Sequence, residues 1–238
     1  LNELSNHPRT VKLLRWGYRD YAPSWDEQEM LFKRVEEGKL LRRNGQTDQY
    51  PLNYLITVEH PPVYTLGKSA NAANLIYPDQ FYLERGAQLF KINRGGDVTF
   101  HGPGQLVVYP IFDLDQFFTD IHKYLRFLEE AVIRTLAEYG IMADRSPGET
   151  GVWIDPKGLQ PRKICAMGVR AARWITMHGL ALNVNTDLRW FDYIIPCGIR
   201  NKAVTSIKEE LNREISLNEV EEKLLRHFQE LFDFHWQG

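Results

Sequence analysis

The sequence predicts a fold of the α/β or α+β class, on three observations. Short runs of β-forming residues crowd the middle of the chain. Two later segments carry apolar residues at helical spacing. No Pro-, Gly- or Ser-rich linker separates them, which favours a single domain over residues 1–238. A chain of 238 residues buries a sizeable core without disulfide or metal staples.

Residues 11–16 form the first candidate strand. Ser24-Trp25-Asp26-Glu27 reads as a capping box, its hydroxyl and carboxylate satisfying the first free N–H groups of a helix. That helix is expected to reach Glu37 and stop at Gly38, with a polar loop at 42–49. Residues 54–58 are rich in β-formers and lead into His60-Pro61-Pro62, where two prolines end regular pairing. Residues 89–92 and 106–112 are further strands. The stretch 94–105 holds four glycines and one proline and is expected to be an irregular connection. Ile121, Tyr124, Leu125, Leu128, Val132 and Leu136 mark an amphipathic helix over 120–139, capped by Gly140. Strands follow at 151–154, 163–169 and 176–184, with a turn at 157–162. A second capping box, Ser216-Leu217-Asn218-Glu219, opens a last helix carrying Val220, Leu224, Leu225, Phe228, Leu231 and Phe232.

Apolar residues make up 43% and charged residues 25%, ordinary values for a soluble globular protein. Basic residues number 29 and acidic residues 31, a balance that argues against a general nucleic-acid binder. Apolar runs such as residues 106–109 fall far short of the roughly 20 residues that span a bilayer, and residues 1–10 lack the apolar core of a signal peptide. The two cysteines, Cys165 and Cys197, form no Cys-x-x-Cys pair and no zinc-finger spacing. Neither a disulfide framework nor a metal site is expected, and a reduced, cytoplasmic setting is the simplest reading. Gly67-Lys68-Ser69 resembles the end of a phosphate loop. That loop needs a glycine where Pro62 stands, so no nucleotide cofactor is expected from it.

The densest signal is Arg94-Gly95-Gly96-Asp97-Val98-Thr99-Phe100-His101-Gly102-Pro103-Gly104-Gln105. Glycines let a backbone approach a ligand closely, and Arg94, Thr99 and His101 add polar tips. A two-turn surface loop fits the same residues. Pro196-Cys197-Gly198 sets a thiol in a constrained turn, where a lowered pKa would make it a nucleophile. A buried structural cysteine fits it too, as lone cysteines commonly are. Cys165 lies in an apolar strand pattern that suits an inert thiol. Lys163 falls on the face of Cys165 and Met167 if that strand is regular, an odd place for an ammonium. His178 fits a satisfied core or edge histidine better than a base.

Together these segments resemble the lipoyl(octanoyl) transferase family. The match runs from about Val11 to Lys208 through Glu59-His60-Pro61-Pro62-Val63-Tyr64-Thr65-Leu66-Gly67, residues 94–105, residues 163–170, residues 173–183 and Pro196-Cys197-Gly198. The resemblance implies an α/β fold, a central mixed β-sheet flanked by helices, like the catalytic domain of lipoate and biotin protein ligases. It implies octanoyl-acyl carrier protein as donor. The acceptor would be a lysine of a lipoyl domain, in the E2 subunits of 2-oxoacid dehydrogenases or the glycine cleavage H protein. By the same resemblance Cys197 is the nucleophile and Lys163 lowers its pKa. Arg94 to His101, Ala166-Met167-Gly168 and Gly179-Leu180-Ala181 would bind the acyl substrate. Cys165 stands where a small residue is expected, and Phe100 where tyrosine is common. Arg94, Arg170 and Arg173 are expected to steer acidic partners to the site. The rival is an ATP-dependent lipoate or biotin ligase of the same fold, which needs no nucleophilic cysteine. A non-catalytic lipoyl-domain binder is the second.

Overall fold

A computed structural model describes residues 9–195 and 203–238. In chain order the elements are β1 (Thr10–Tyr18), α1 (Tyr21–Arg43), β2 (Asn53–Glu59), β3 (Val63–Leu66), α2 (Asp79–Leu83), β4 (Gln88–Lys91), β5 (Val98–His101) and β6 (Gln105–Ile111). There follow α3 (Ile121–Ala137), β7 (Ala143–Asp144), β8 (Val152–Ile154), β9 (Arg162–Ala172) and β10 (Ile175–Asn183). The chain ends with β11 (Ala203–Val204), α4 (Ile207–Leu211), α5 (Leu217–Phe232) and β12 (His235–Trp236).

Among the described residues the main sheet has nine strands, ordered β12-β1-β2-β6-β10-β9-β8-β7, with β11 also pairing β9. It is mixed. β1 runs parallel to β2 and β12, and β11 runs parallel to β9, while β2, β6, β10, β9, β8 and β7 alternate antiparallel. A second sheet, β4-β3-β5, stands apart. This is the expected α/β class: a central mixed sheet with helices on its faces.

The strand period of two sorts side chains between two cores. Leu55 of β2 and Leu106 and Val108 of β6 meet Leu128 and Val132 of α3 and Leu224 and Phe228 of α5. Tyr54, Ile56, Val107 and Tyr109 point the other way, to Leu31, Phe32 and Val35 of α1. Both faces of β2 and β6 are covered, so these strands read as near-continuous apolar runs. Phe232 of α5 is ringed by Phe112, Phe117, Phe127 and Tyr124. Truncating such a side chain costs about 3–5 kcal/mol.

The start of α1 differs from the expected capping box. Ser24 lies inside the helix, buried, and its hydroxyl donates to the Asp20 carbonyl at 2.7 Å. Glu27 pairs with Arg19 instead of capping. Pro23 sits in the first turn, where its missing N–H has no intrahelical partner to lose, so the helix begins earlier than the box implies. Gly38 does not end α1; it lies where the helix passes Pro51. At the second box Ser216 does cap α5, accepting from the Glu219 N–H at 3.5 Å. Glu219 turns to Lys223 and Tyr139 rather than back to the cap. The stretch 94–105 is not wholly irregular either: Val98–His101 forms β5 and pairs with β3.

Candidate active site

A cavity of about 550 Å³ opens between β9, β10 and β6 of the main sheet and the turn that precedes β5. Volumes of this order suit a small-molecule ligand. Arg94 to Thr99 and His101 form one wall; Ala166, Met167 and Gly168 of β9 and Gly179, Leu180 and Ala181 of β10 form another. Register explains the second wall. Ala166 pairs with Ala181 and Gly168 with Gly179, so these small residues share one face and leave room above the sheet. Phe100 is not brought to the cavity. Its ring stacks on Trp190 at 5.3 Å, in a separate aromatic cluster with Tyr64 and Phe191.

Residues 94–96 are clamped against the sheet. The Arg94 guanidinium is buried and donates to the Thr65 carbonyl at 2.7 Å, to the Thr65 hydroxyl at 3.0 Å and to the Gly95 carbonyl at 3.0 Å. It is therefore a cavity-wall cation and not a surface charge that steers partners. Arg170 and Arg173 are already paired, with Glu29 and Glu36. A Cβ on Gly168 would come within 2.8 Å of the Gly95 carbonyl and 2.9 Å of Arg94 Cδ, so only glycine admits the turn. The Gly95 N–H is spent on the Val169 carbonyl at 2.9 Å, so it does not serve as a donor to a ligand.

Two buried histidines, His101 and His178, line the cavity and a third, His60, packs against Tyr109 and His101; their tautomers follow from their partners. His101 Nδ1 meets Gln105 Oε1 at 2.8 Å, while Gln105 Nε2 donates to Asn183 Oδ1 at 2.9 Å, so His101 carries its proton on Nδ1. His178 Nε2 donates to Asn93 Oδ1 at 2.8 Å, because the other Asn93 amide atom donates to Glu29. His60 Nδ1 donates to the Arg19 carbonyl at 2.7 Å, and its Nε2 accepts from Tyr109. Burial is the first cause of depression for all three: His60 falls to about 4, and His101 and His178 to about 3. All are neutral at pH 7. His178 also holds a φ of +59°, a backbone state that costs about 1–3 kcal/mol and gathers at functional sites.

Lys163 lines the cavity, and a β-bulge puts it there. Regular alternation from Gly168 and Ala166 would aim Ile164 at the cavity and send Lys163 away with Cys165. Instead Val152 pairs with Cys165 and Trp153 with Lys163, leaving one extra residue in β9. Ile164 and Cys165 both enter the core under α3, and Lys163 turns out. Lys163 therefore does not share the face of Cys165, contrary to the regular-strand expectation. Cys165 is fully buried, and burial pushes its thiol well up, as an inert core cysteine requires.

Cys197 lies outside the described residues. On one side of that segment Ile195 donates to the Asn74 carbonyl at 2.9 Å. On the other, Val204 pairs with Lys163 and lines the cavity. Several lining residues lie outside every motif, Tyr21, Tyr109 and residues 148–150 among them, while Gln105 and Asn183 close the segments 94–105 and 173–183. Alternation offered part of the signal, since Asn183 follows Gly179 and Ala181 at spacing two. Among the described residues no group of three or more His, Cys, Asp or Glu side chains is placed to hold a metal ion, and no helix is long and apolar enough to cross a membrane.

Residues 20–229 match the family model of the lipoyl protein ligase A/B catalytic domain. The chain is 60% identical to an octanoyltransferase of Christiangramia forsetii, over 94% of this chain and 96% of that one. It is 57% identical to an octanoyltransferase of Flavobacterium psychrophilum, over 94% and 97%. Among solved structures, a putative lipoate protein ligase from T. acidophilum with bound lipoic acid aligns at TM-score 0.69 and 17% identity, covering 96% of this chain and 87% of that one. An ATP-bound lipoate-protein ligase A aligns at TM-score 0.68 and 17% identity, covering 97% and 88%. These two establish the shared fold. The family model and the sequence matches place the chain in the octanoyltransferase family of acyltransferases, built on the lipoyl protein ligase A/B catalytic domain.

Proposed function

We propose that the chain, as one catalytic domain over residues 1–238, moves an octanoyl group from octanoyl-acyl carrier protein to a lysine of a lipoyl domain. Its relatives' name supports the octanoyl group, and the cavity beside Lys163 is the observation that carries the mechanism. The acceptors would be E2 subunits of 2-oxoacid dehydrogenases and the glycine cleavage H protein. One structural neighbour is a bi-partite lipoate protein ligase with its E2 lipoyl domain. The setting would be the cytoplasm, where thiols stay reduced.

In the first step the Cys197 thiolate attacks the thioester carbonyl. A new carbon–sulfur bond forms, the carrier's carbon–sulfur bond breaks, and the carrier's sulfur leaves with the proton of the Lys163 ammonium. In the second step the lysine amine attacks the acyl-enzyme. A carbon–nitrogen bond forms, Cys197 leaves as thiolate, and Lys163 relays the amine's proton. A nearby ammonium favours that thiolate at both stages. Thioester exchange is nearly isoenergetic and aminolysis runs downhill, so neither ATP nor a cofactor is required. The small residues Ala166, Gly168, Gly179 and Ala181 leave an apolar floor for the chain, with Arg94, Gly95, Gly96, Asp97, Val98, Thr99 and His101 above it. Phe100 supports this wall from behind.

The test is intact-mass analysis after incubation with octanoyl-acyl carrier protein and no ATP. One octanoyl adduct is expected on wild type and on Cys165→Ala, and none on Cys197→Ala. An adduct that persists in Cys197→Ala, or appears only with ATP and free octanoate, would overturn the reading.

A further inference from the structure

The bulge that turns Lys163 to the cavity also sets it opposite Trp153 across the β8–β9 ladder. Val152 and Ile154 face the core under α3, so Trp153 is the residue of β8 on the lysine's side. Lys163 Nζ lies over the indole, 4.6 Å from the ring centroid. That is inside the range of a cation–π contact, and indole is the best aromatic face for one. Trp153 is 2% exposed, so its ring has little room to swing away from the ammonium. A lysine head on a flexible four-carbon stem otherwise has many positions open to it.

We propose that Trp153 is a positioning residue for acyl transfer: its indole face seats the Lys163 ammonium at the cavity. The proposal rests on the reading of Lys163 as the partner of Cys197. Trp153 itself touches neither acyl group nor sulfur; it acts by holding Lys163 where the charge is felt. The contact demands three features at once. These are the extra residue in β9, an aromatic ring at the paired position of β8, and a buried ring that stays in place. All three are present.

The experiment is the pH dependence of Cys197 alkylation by iodoacetamide, in a Cys165→Ala background so that one thiol reports. Trp153→Phe, Trp153→Leu and Lys163→Ala are compared with the parent, and each is melted to confirm folding. Trp153→Phe keeps a ring and should move the midpoint up by a few tenths of a unit. Trp153→Leu should move it by about one unit, roughly a tenfold loss of thiolate at neutral pH, towards Lys163→Ala. If Lys163→Ala shifts the midpoint and Trp153→Leu leaves it unchanged with only a lower melting temperature, Trp153 merely packs, and the positioning role is wrong. If Lys163→Ala also leaves it unchanged, the reading of Lys163 fails and takes this proposal with it.

Discussion

The Asn74 side-chain amide donates to the carboxylate of Asp97, and the Asn74 backbone carbonyl accepts the N–H of Ile195 at 2.9 Å. Asp97 also accepts from the backbone N–H of Asn71 at 3.2 Å and of Val98 at 2.8 Å. A cavity-wall residue is thereby tied to the chain just before Pro196 and Cys197. Asp97→Ala should keep the fold but slow acylation by about ten- to a hundredfold, since small misplacements of a reacting group are costly. Single-turnover acylation measures this. A rate equal to wild type would show that the tie does not position the nucleophile's segment.

Stability should fall on mild acidification. His60, His101 and His178 have folded pKa values depressed to about 4, 3 and 3, below the ordinary 6.5. Below pH 6.5 the unfolded chain binds protons that the folded chain refuses. The contribution is intact above that pH and is lost as pH falls towards the folded values. Three such groups give a slope of up to about 4 kcal/mol per pH unit between 6.5 and 4. Urea denaturation at pH 7.5, 6 and 5 tests it, and a flat profile would refute it.

Lys39 of α1 is buried and bound to Asp113 at 2.6 Å, to Asp115 at 2.8 Å and to the Arg173 carbonyl at 2.8 Å. It pins the helix to the chain after β6 and to the β9–β10 turn. Lys39→Ala leaves the Asp113 carboxylate buried without its cation, and burial already raises that carboxyl. The loss should be about 3–5 kcal/mol. Lys39→Ala with Asp113→Ala should be less damaging than the sum of the two single changes, which a double-mutant cycle in urea decides.

A single cysteine carrier implies ping-pong kinetics, because the donor must leave before the lipoyl domain attacks. Initial rates with both substrates varied should give parallel reciprocal plots. Intersecting plots would mean that both proteins bind together. With Arg94 buried and Arg170 and Arg173 paired, the salt dependence should be shallow.

Periodicity made the large elements legible. Helices α3 and α5, and strands β2, β6 and β10, lie close to their expected bounds because each buries a regular apolar pattern. Of the β4-β3-β5 sheet only β4 was legible, as the strand expected at 89–92. Its strands are four residues long, and two of them abut prolines or glycines that read as loop. Ser24 and Glu27 matched a cap that Pro23 overrides. Within the site, the glycine motifs carried the signal and Gln105 came with them, while Tyr21 and Tyr109 arrive from distant elements and look like ordinary core residues. Phe100 was grouped with its neighbours in sequence, though a strand turns it away from His101.

The extra residue in β9 makes strand parity a chemical variable. Substitutions along β9 alter one side chain each. Closing the bulge by a one-residue slip would instead pair Trp153 with Ile164 and rotate Lys163 into the hydrocarbon interior, whereas deleting Ile164 removes the bulge and leaves Lys163 opposite Trp153. A strand shortened by Ile164 should therefore keep its pairing and its ammonium at the cavity, and lose only one buried core side chain. In this protein a frame-preserving loss of that codon would therefore be felt in the core and spare Lys163, while a slip that changes no residue would remove the lysine from the cavity.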